Sequence, residues 1–194
     1  MKYKQLYEHC QTLTPHVGRN AIKAAVCSIT GEDVQIIEVG LDPAHVRGFF
    51  VSASSGHQFV AQCRGRNVVV IAREMNRCWK RFVIFKELMH LLDPELSYTS
   101  TAEEFGDLLE EFAAPGLDRS PQMAAEVYAL WMATALFCPE TLRQELQRQF
   151  EAGTISTHDV ATKLLMPEQY VPRLFNPNYK AIMSRLLAAP RNGH

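Results

Sequence analysis

The sequence predicts an α+β fold in which a small mixed β-sheet is followed by helices. Three observations carry this. Residues 33–72 hold short apolar stretches separated by turn-forming residues, as in a sheet of three or four strands. After Arg81 the pattern changes to helical length and composition. Two of the later stretches, 82–92 and 122–137, are apolar nearly all round, which marks helices buried in a core. Strands first and helices afterwards is the order of an α+β chain.

A length of 194 residues suits one domain with room for a small appendage. The chain is 47% hydrophobic and 21% charged, a globular composition that excludes a disordered tail or a low-complexity scaffold. Its net charge of −1 argues against a wholesale nucleic-acid binder, which would be strongly basic. Cys10, Cys27, Cys63, Cys78 and Cys138 are odd in number and contain no CxxC. They read as reduced, buried thiols rather than a disulfide framework or a zinc finger, so a reducing cytoplasm is expected. The opening "MKYKQLYEHC" lacks the apolar core and cleavage site of a signal peptide. Between Pro121 and Pro139 the only charge is Glu126, but Gln122 and Thr134 interrupt the run, which predicts a buried helix rather than a membrane span.

Element by element, the first 40 residues predict a helix from about Leu6 to Ser28, a turn at Gly31 and a strand "VQIIEV". Two apolar stretches follow, "GFFVSA" (48–53) and "HQFVAQC" (57–63), with Ser54-Ser55-Gly56 as a hairpin-like break. The run "NVVVIA" (67–72) has the continuous β-branched character of a strand buried on both faces. A helix over 82–92 is stopped by Pro94. Ser100 and Glu103 form a capping-box pattern ahead of an amphipathic helix with the stripe Phe105, Leu108, Leu109 and Phe112. Its remaining positions include Glu103, Glu104, Asp107, Glu110 and Glu111, either a solvated face or a docking surface for a basic partner. The helix over 122–137 is closed by Cys138-Pro139. Helices at about 140–151, 157–165, 168–175 and 178–188 complete the chain, broken at Gly153, Met166-Pro167 and Pro177.

Charge is unevenly distributed. Residues 1–93 carry 12 basic and 8 acidic groups, residues 94–126 one basic and eight acidic, and residues 141–194 seven basic and four acidic. The segment 155–175 invites a helix-turn-helix reading, with Val160, Ala161 and Val171 suited to its interior. Pro172 falls inside the would-be second helix, and Lys163 and Arg173 are its only basic residues, so a structural cap on the core is the better expectation.

The chemistry lies in the ionisable residues inside the two apolar helices: Lys86, Glu87 and His90 on one, Glu126 on the other. A buried charge without a partner costs several kcal/mol, so such groups are paired or bind a metal. Lys86 and His90 are four positions apart and share a helix face. A satisfied polar knot and a functional cleft are both open on spacing alone. His57 sits on a predicted strand, either solvent-facing or approaching the cleft. His158 falls near a helix start, and Trp79, Trp131 and Cys78 read as core residues.

The stretch "RFVIFKELMHLLD" resembles the zinc-site helix of the ImmA/IrrE-type metallopeptidases, and "AAEVYALWMATALFCPE" resembles their second signature through Glu126, Ala129, Ala133, Leu136 and Pro139. "RNVVVIAREMNRCWKRF" is similar to the family's edge strand leading into that helix, and "HDVATKLLMPEQYVPRL" to the segment after the peptidase core. The likeness covers about residues 30–175. It implies a zincin-like pair of buried helices within a metallopeptidase-like domain, residues 1–139, and a C-terminal helical extension, residues 140–194. It places Glu87 at the water-activating position and His90 and Glu126 at zinc-ligand positions.

The chain departs from the family at Lys86, which stands where the first ligand, a histidine, is expected, giving KExxH for HExxH. An ammonium has no lone pair to donate to a metal, and its ordinary pKa of about 10.4 keeps it protonated. Met89 replaces a customary glycine and adds bulk at the substrate or partner cleft, which His57 would also line. The resemblance therefore implies a degenerate, catalytically inactive regulatory protein with no cofactor. In it the Lys86 ammonium sits near the place of the metal, between Glu126 and Glu87. The partner class it implies is a helix-turn-helix repressor of a bacterial or phage system. The alternative is a zinc metalloendopeptidase with a rerouted ligand set, His57 or water replacing the missing ligand. A DNA-binding regulator acting through the tail is a third reading.

Overall fold

Every residue of the run 67–72 is buried, as its β-branched composition requires. The computed structural model describes residues 2–13, 17–93 and 120–188. In order, the elements are α1 (Lys2–Gln11), α2 (Arg19–Thr30), β1 (Val34–Val39), β2 (Gly48–Val51), α3 (Gln58–Gln62), β3 (Asn67–Ala72), α4 (Arg77–Met89), α5 (Pro121–Leu136), α6 (Glu140–Glu151), α7 (Thr157–Leu164), α8 (Val171–Leu174) and α9 (Tyr179–Ala188). The architecture is α+β with a small mixed sheet. β3 is central, parallel to β1 from Val34↔Asn67 to Val39↔Ala72, and antiparallel to β2 from Gly48↔Ile71 to Val51↔Val68. Side chains alternate across a strand. Val69 and Ile71 accordingly join the large helical core, while Val68 and Val70 join a smaller cluster with Val51 and Val60.

Three expectations are corrected. The stretch 57–63 is not a strand but the short helix α3. His57 caps it by accepting a hydrogen bond from the Phe59 amide at 3.2 Å, and Gly56 before it takes the left-handed conformation. Among the described residues the sheet therefore has three strands. The helix expected from Leu6 to Ser28 is divided into α1 and α2, with Gly18 extended at the start of α2. The intervening sequence carries Pro15 and Gly18, both poor in a helix interior. α4 begins at Arg77, ahead of the expected start after Arg81, because the Asn76 side chain accepts from the Trp79 amide. Cys27, Cys63 and Cys78 are half-buried rather than buried, whereas Cys10 and Cys138 are buried. Trp79 and Trp131 are partly buried and lie against the core. The acidic helix expected at 100–113 lies outside the described residues.

α4 crosses the core between the sheet and α5. Phe85 and Phe82 meet Phe137 with centroids 4.7 and 5.7 Å apart, and Phe82 stacks on Tyr170 at 4.0 Å. Arg81, 8% exposed, ties three chain regions together. Its guanidinium donates to the Val17, Leu164 and Leu165 carbonyls and lies over the Phe137 ring at 4.2 Å. Burial pushes its pKa down to about 10. Leu164 and Leu165 stand at the C-terminus of α7, where a helix leaves its last carbonyls without an internal partner.

The C-terminal helices lie on this core through Leu146, Val160, Ala161, Leu164, Val171 and Leu174. Pro172 stands in the first turn of α8, where a missing N–H breaks no helical bond. α8 has four residues and continues directly from a 3-10 turn, Glu168–Tyr170. Among the described residues, no helix is long and apolar enough to cross a membrane.

Candidate functional site

The α4–α5 contact brings together the four ionisable residues picked out by pattern. The i, i+4 spacing puts Lys86 and His90 on one face of α4, which tightens into a 3-10 turn from His90 to Leu92. Glu126 projects from the second turn of α5, a helix started by the Ser120 side chain accepting from the Met123 amide at 3.0 Å. Lys86 Nζ lies 2.5 Å from Glu126 Oε2 and 2.9 Å from Glu87 Oε1. His90 Nε2 is 3.2 Å from Glu126 Oε1 and 3.7 Å from Glu87 Oε2. The first of these is an ion-pair distance, and among the described residues Nε2 meets no acceptor in full hydrogen-bond geometry.

Side-chain exposure falls from 21% at Lys86 and 18% at Glu126 to 8% at His90 and 3% at Glu87. The knot is therefore sealed at its His90–Glu87 end and reaches solvent at its Lys86–Glu126 end. Burial disfavours the Lys86 ammonium, but Glu87 and Glu126 outweigh it and raise its pKa above the ordinary lysine value. Burial also opposes ionisation of Glu126, yet Lys86 and His90 hold its carboxyl far below the usual range. At Glu87 burial prevails over Lys86 and the pKa is raised. Burial lowers the His90 pKa, but the charge of Glu126 and contact with Asp93 push it up to about 10.

Two participants were missed by sequence reasoning. Asp93 Oδ2 meets His90 Nδ1 at 3.1 Å from within the same helix end, and is itself buried. The three-residue separation was a usable signal. Phe50 of β2 stacks on the His90 ring, with centroids 6.1 Å apart. Only the tertiary fold brings it there. β2 can lie this close to α4 because position 48 is glycine. A Cβ there would stand 2.5 Å from Val83 Cγ1 and 2.6 Å from the Val70 carbonyl oxygen. Of the two residues expected at a cleft, Met89 is fully buried and joins the core cluster with Phe85 and Leu88. His57 caps α3, its ring 5.0 Å from that of Phe59. His158 is exposed at the start of α7, beside Glu168.

The resemblance implies zinc, and the donor set does not fit it. The position for a first imidazole carries an ammonium already bound to both carboxylates nearest it. Among the described residues, no group of three or more His, Cys, Asp or Glu side chains is arranged to hold a metal ion. Chemically, the arrangement holds cations against carboxylates. A lysine kept protonated this firmly is neither a nucleophile nor a base. No family model, curated protein or solved structure matches the chain.

Proposed function

We propose that this chain is a peptidase-like regulatory protein without catalytic activity, which acts by binding a protein partner in the cytoplasm. In this reading α4 and α5 are a zincin-like helix pair and residues 140–194 an extension on a metallopeptidase-like domain. The reading draws its family from the motif likeness around Glu87, His90 and Glu126. Its inactivity rests on one observation, the Lys86 ammonium between Glu126 and Glu87. One cation there offsets the carboxylates that a metal would otherwise neutralise, and it brings no lone pair with which to ligate one. The helix-turn-helix repressor class is the partner the likeness points to.

The test is metal analysis of protein purified without added zinc or chelator, together with incubation against a candidate repressor. Zinc far below one per chain, with the repressor bound and intact, is the expected result. Stoichiometric zinc lost on His90→Ala or Glu126→Ala, with repressor cleavage abolished by Glu87→Gln, would make the protein a metallopeptidase.

A further inference from the structure

A second charged feature lies outside the Lys86 knot, where β1 and β3 end and α4 begins. Arg47 lies over the Trp79 ring, its Cζ 4.1 Å from the centroid. Lys80 Nζ meets Glu38 Oε2 at 2.7 Å, Arg19 Nη1 is 3.9 Å from Glu38 Oε1, and Arg73 Nη2 donates to the Glu38 carbonyl oxygen at 3.3 Å. Arg77 opens α4 from the same turn. The backbone fixes these positions. The Ala72 amide donates to the Arg47 carbonyl and the Arg73 amide to the Val39 carbonyl, both at 2.9 Å.

Five cations thus gather against two carboxylates of the same strand end and turn, Glu38 and Glu74. Asp42 nearby is paired with His45 at 2.9 Å. Glu38 is shared by Lys80 and Arg19. Among the described residues, Arg47, Arg73 and Arg77 have no carboxylate partner, and all three are exposed. Arg47 is also held in place, because the indole beneath it restricts a side chain that would otherwise be mobile.

We propose that this face binds an acidic peptide segment of a partner protein, its carboxylates pairing with the guanidiniums of Arg47, Arg73 and Arg77. The planar arginine fork matches a carboxylate with two parallel hydrogen bonds. A nucleic acid fits the face less well. Base stacking needs an open aromatic face, but Arg47 covers Trp79, and Phe82 and Tyr170 meet it edge-on. A phosphodiester backbone also needs a long basic track, whereas the chain has a net charge of −1 and this patch includes Glu38 and Glu74. The proposal does not depend on the inactive-peptidase reading, since none of its residues belongs to the Lys86 knot.

The full chain is titrated against a fluorescently labelled oligoglutamate peptide and, separately, a labelled DNA duplex, with anisotropy as the readout. The peptide is expected to bind and to weaken steeply with added salt. Arg47→Ala is expected to lower its affinity about tenfold, the loss of one forked charge-assisted pair, with partial recovery in Arg47→Lys. Arg66→Ala, which removes a cation paired with Asp33 at the opposite end of β3, is the control and should change nothing. Melting temperatures of the variants establish that each is folded. Absence of peptide binding, an equal loss in Arg66→Ala, or tighter binding to the duplex than to the peptide would each overturn the proposal.

Discussion

Lys86 Nζ lies 2.5 Å from Glu126 Oε2, across the interface between α4 and α5. The two residues are 40 positions apart, and each is a conspicuous charge on an apolar helix. Their contact makes two solvation costs into one ion pair. Glu87 and His90 extend it to a knot in which every carboxylate faces a cation.

Removing one partner leaves the other buried and unpaired. Lys86→Met is expected to destabilise the fold by about 3 kcal/mol, and Glu126→Leu by a similar amount, the scale for breaking a buried pair. The double variant Lys86→Met/Glu126→Leu should regain much of that loss, since an apolar pair of similar volume needs no compensation. Urea denaturation of the four proteins closes the cycle. Additive losses in the double variant would show that the two side chains are not coupled.

Lys86→His replaces the ammonium with an imidazole one turn before His90. The variant is expected to gain zinc, because the new imidazole supplies the missing donor beside His90 and Glu126. Chelator should then lower the melting temperature of the variant and leave the parent unchanged. A variant with no more zinc than the parent would mean that the helix pair cannot close round a metal.

Stability should depend on pH through His90. Its folded-state pKa is raised from 6.5 to about 10 by its carboxylate neighbours, so the folded chain holds this proton more tightly than the unfolded chain. The resulting stabilisation is complete below 6.5 and is lost as pH rises towards about 10. His90→Gln should flatten melting temperature against pH across that window relative to the parent. Parallel curves would place the imidazole as neutral in the fold.

Gly48→Ala should destabilise β2 against α4 by roughly 1–3 kcal/mol, the range for overpacking. Its Cβ would meet both a side chain, Val83, and a backbone oxygen, that of Val70. Val83→Ala clears only the first, so the pair Gly48→Ala/Val83→Ala should remain less stable than Val83→Ala alone. Thermal melting decides this, and full rescue would show that the sheet backbone can shift.

What the sequence determined by itself was local. The strands at 34–39 and 67–72, the helices at 122–137 and 140–151, and the stop at Gly153 follow from period, β-branching and breaker residues acting within a few positions. The pairing of Glu126 with the 82–92 helix was also legible, because four charges on two otherwise apolar helices have few ways of avoiding an unpaired burial. Residues 57–63 were not legible, since a short apolar run fits a strand or a helical turn and the His57 cap settled it. Nor were Phe50 against His90, Gly48 against Val83, or Arg81 reaching Val17 and Leu164. Each joins residues far apart in the chain. A repeating pattern fixes which face of an element is apolar, but only the packing of whole elements decides which side chain meets it.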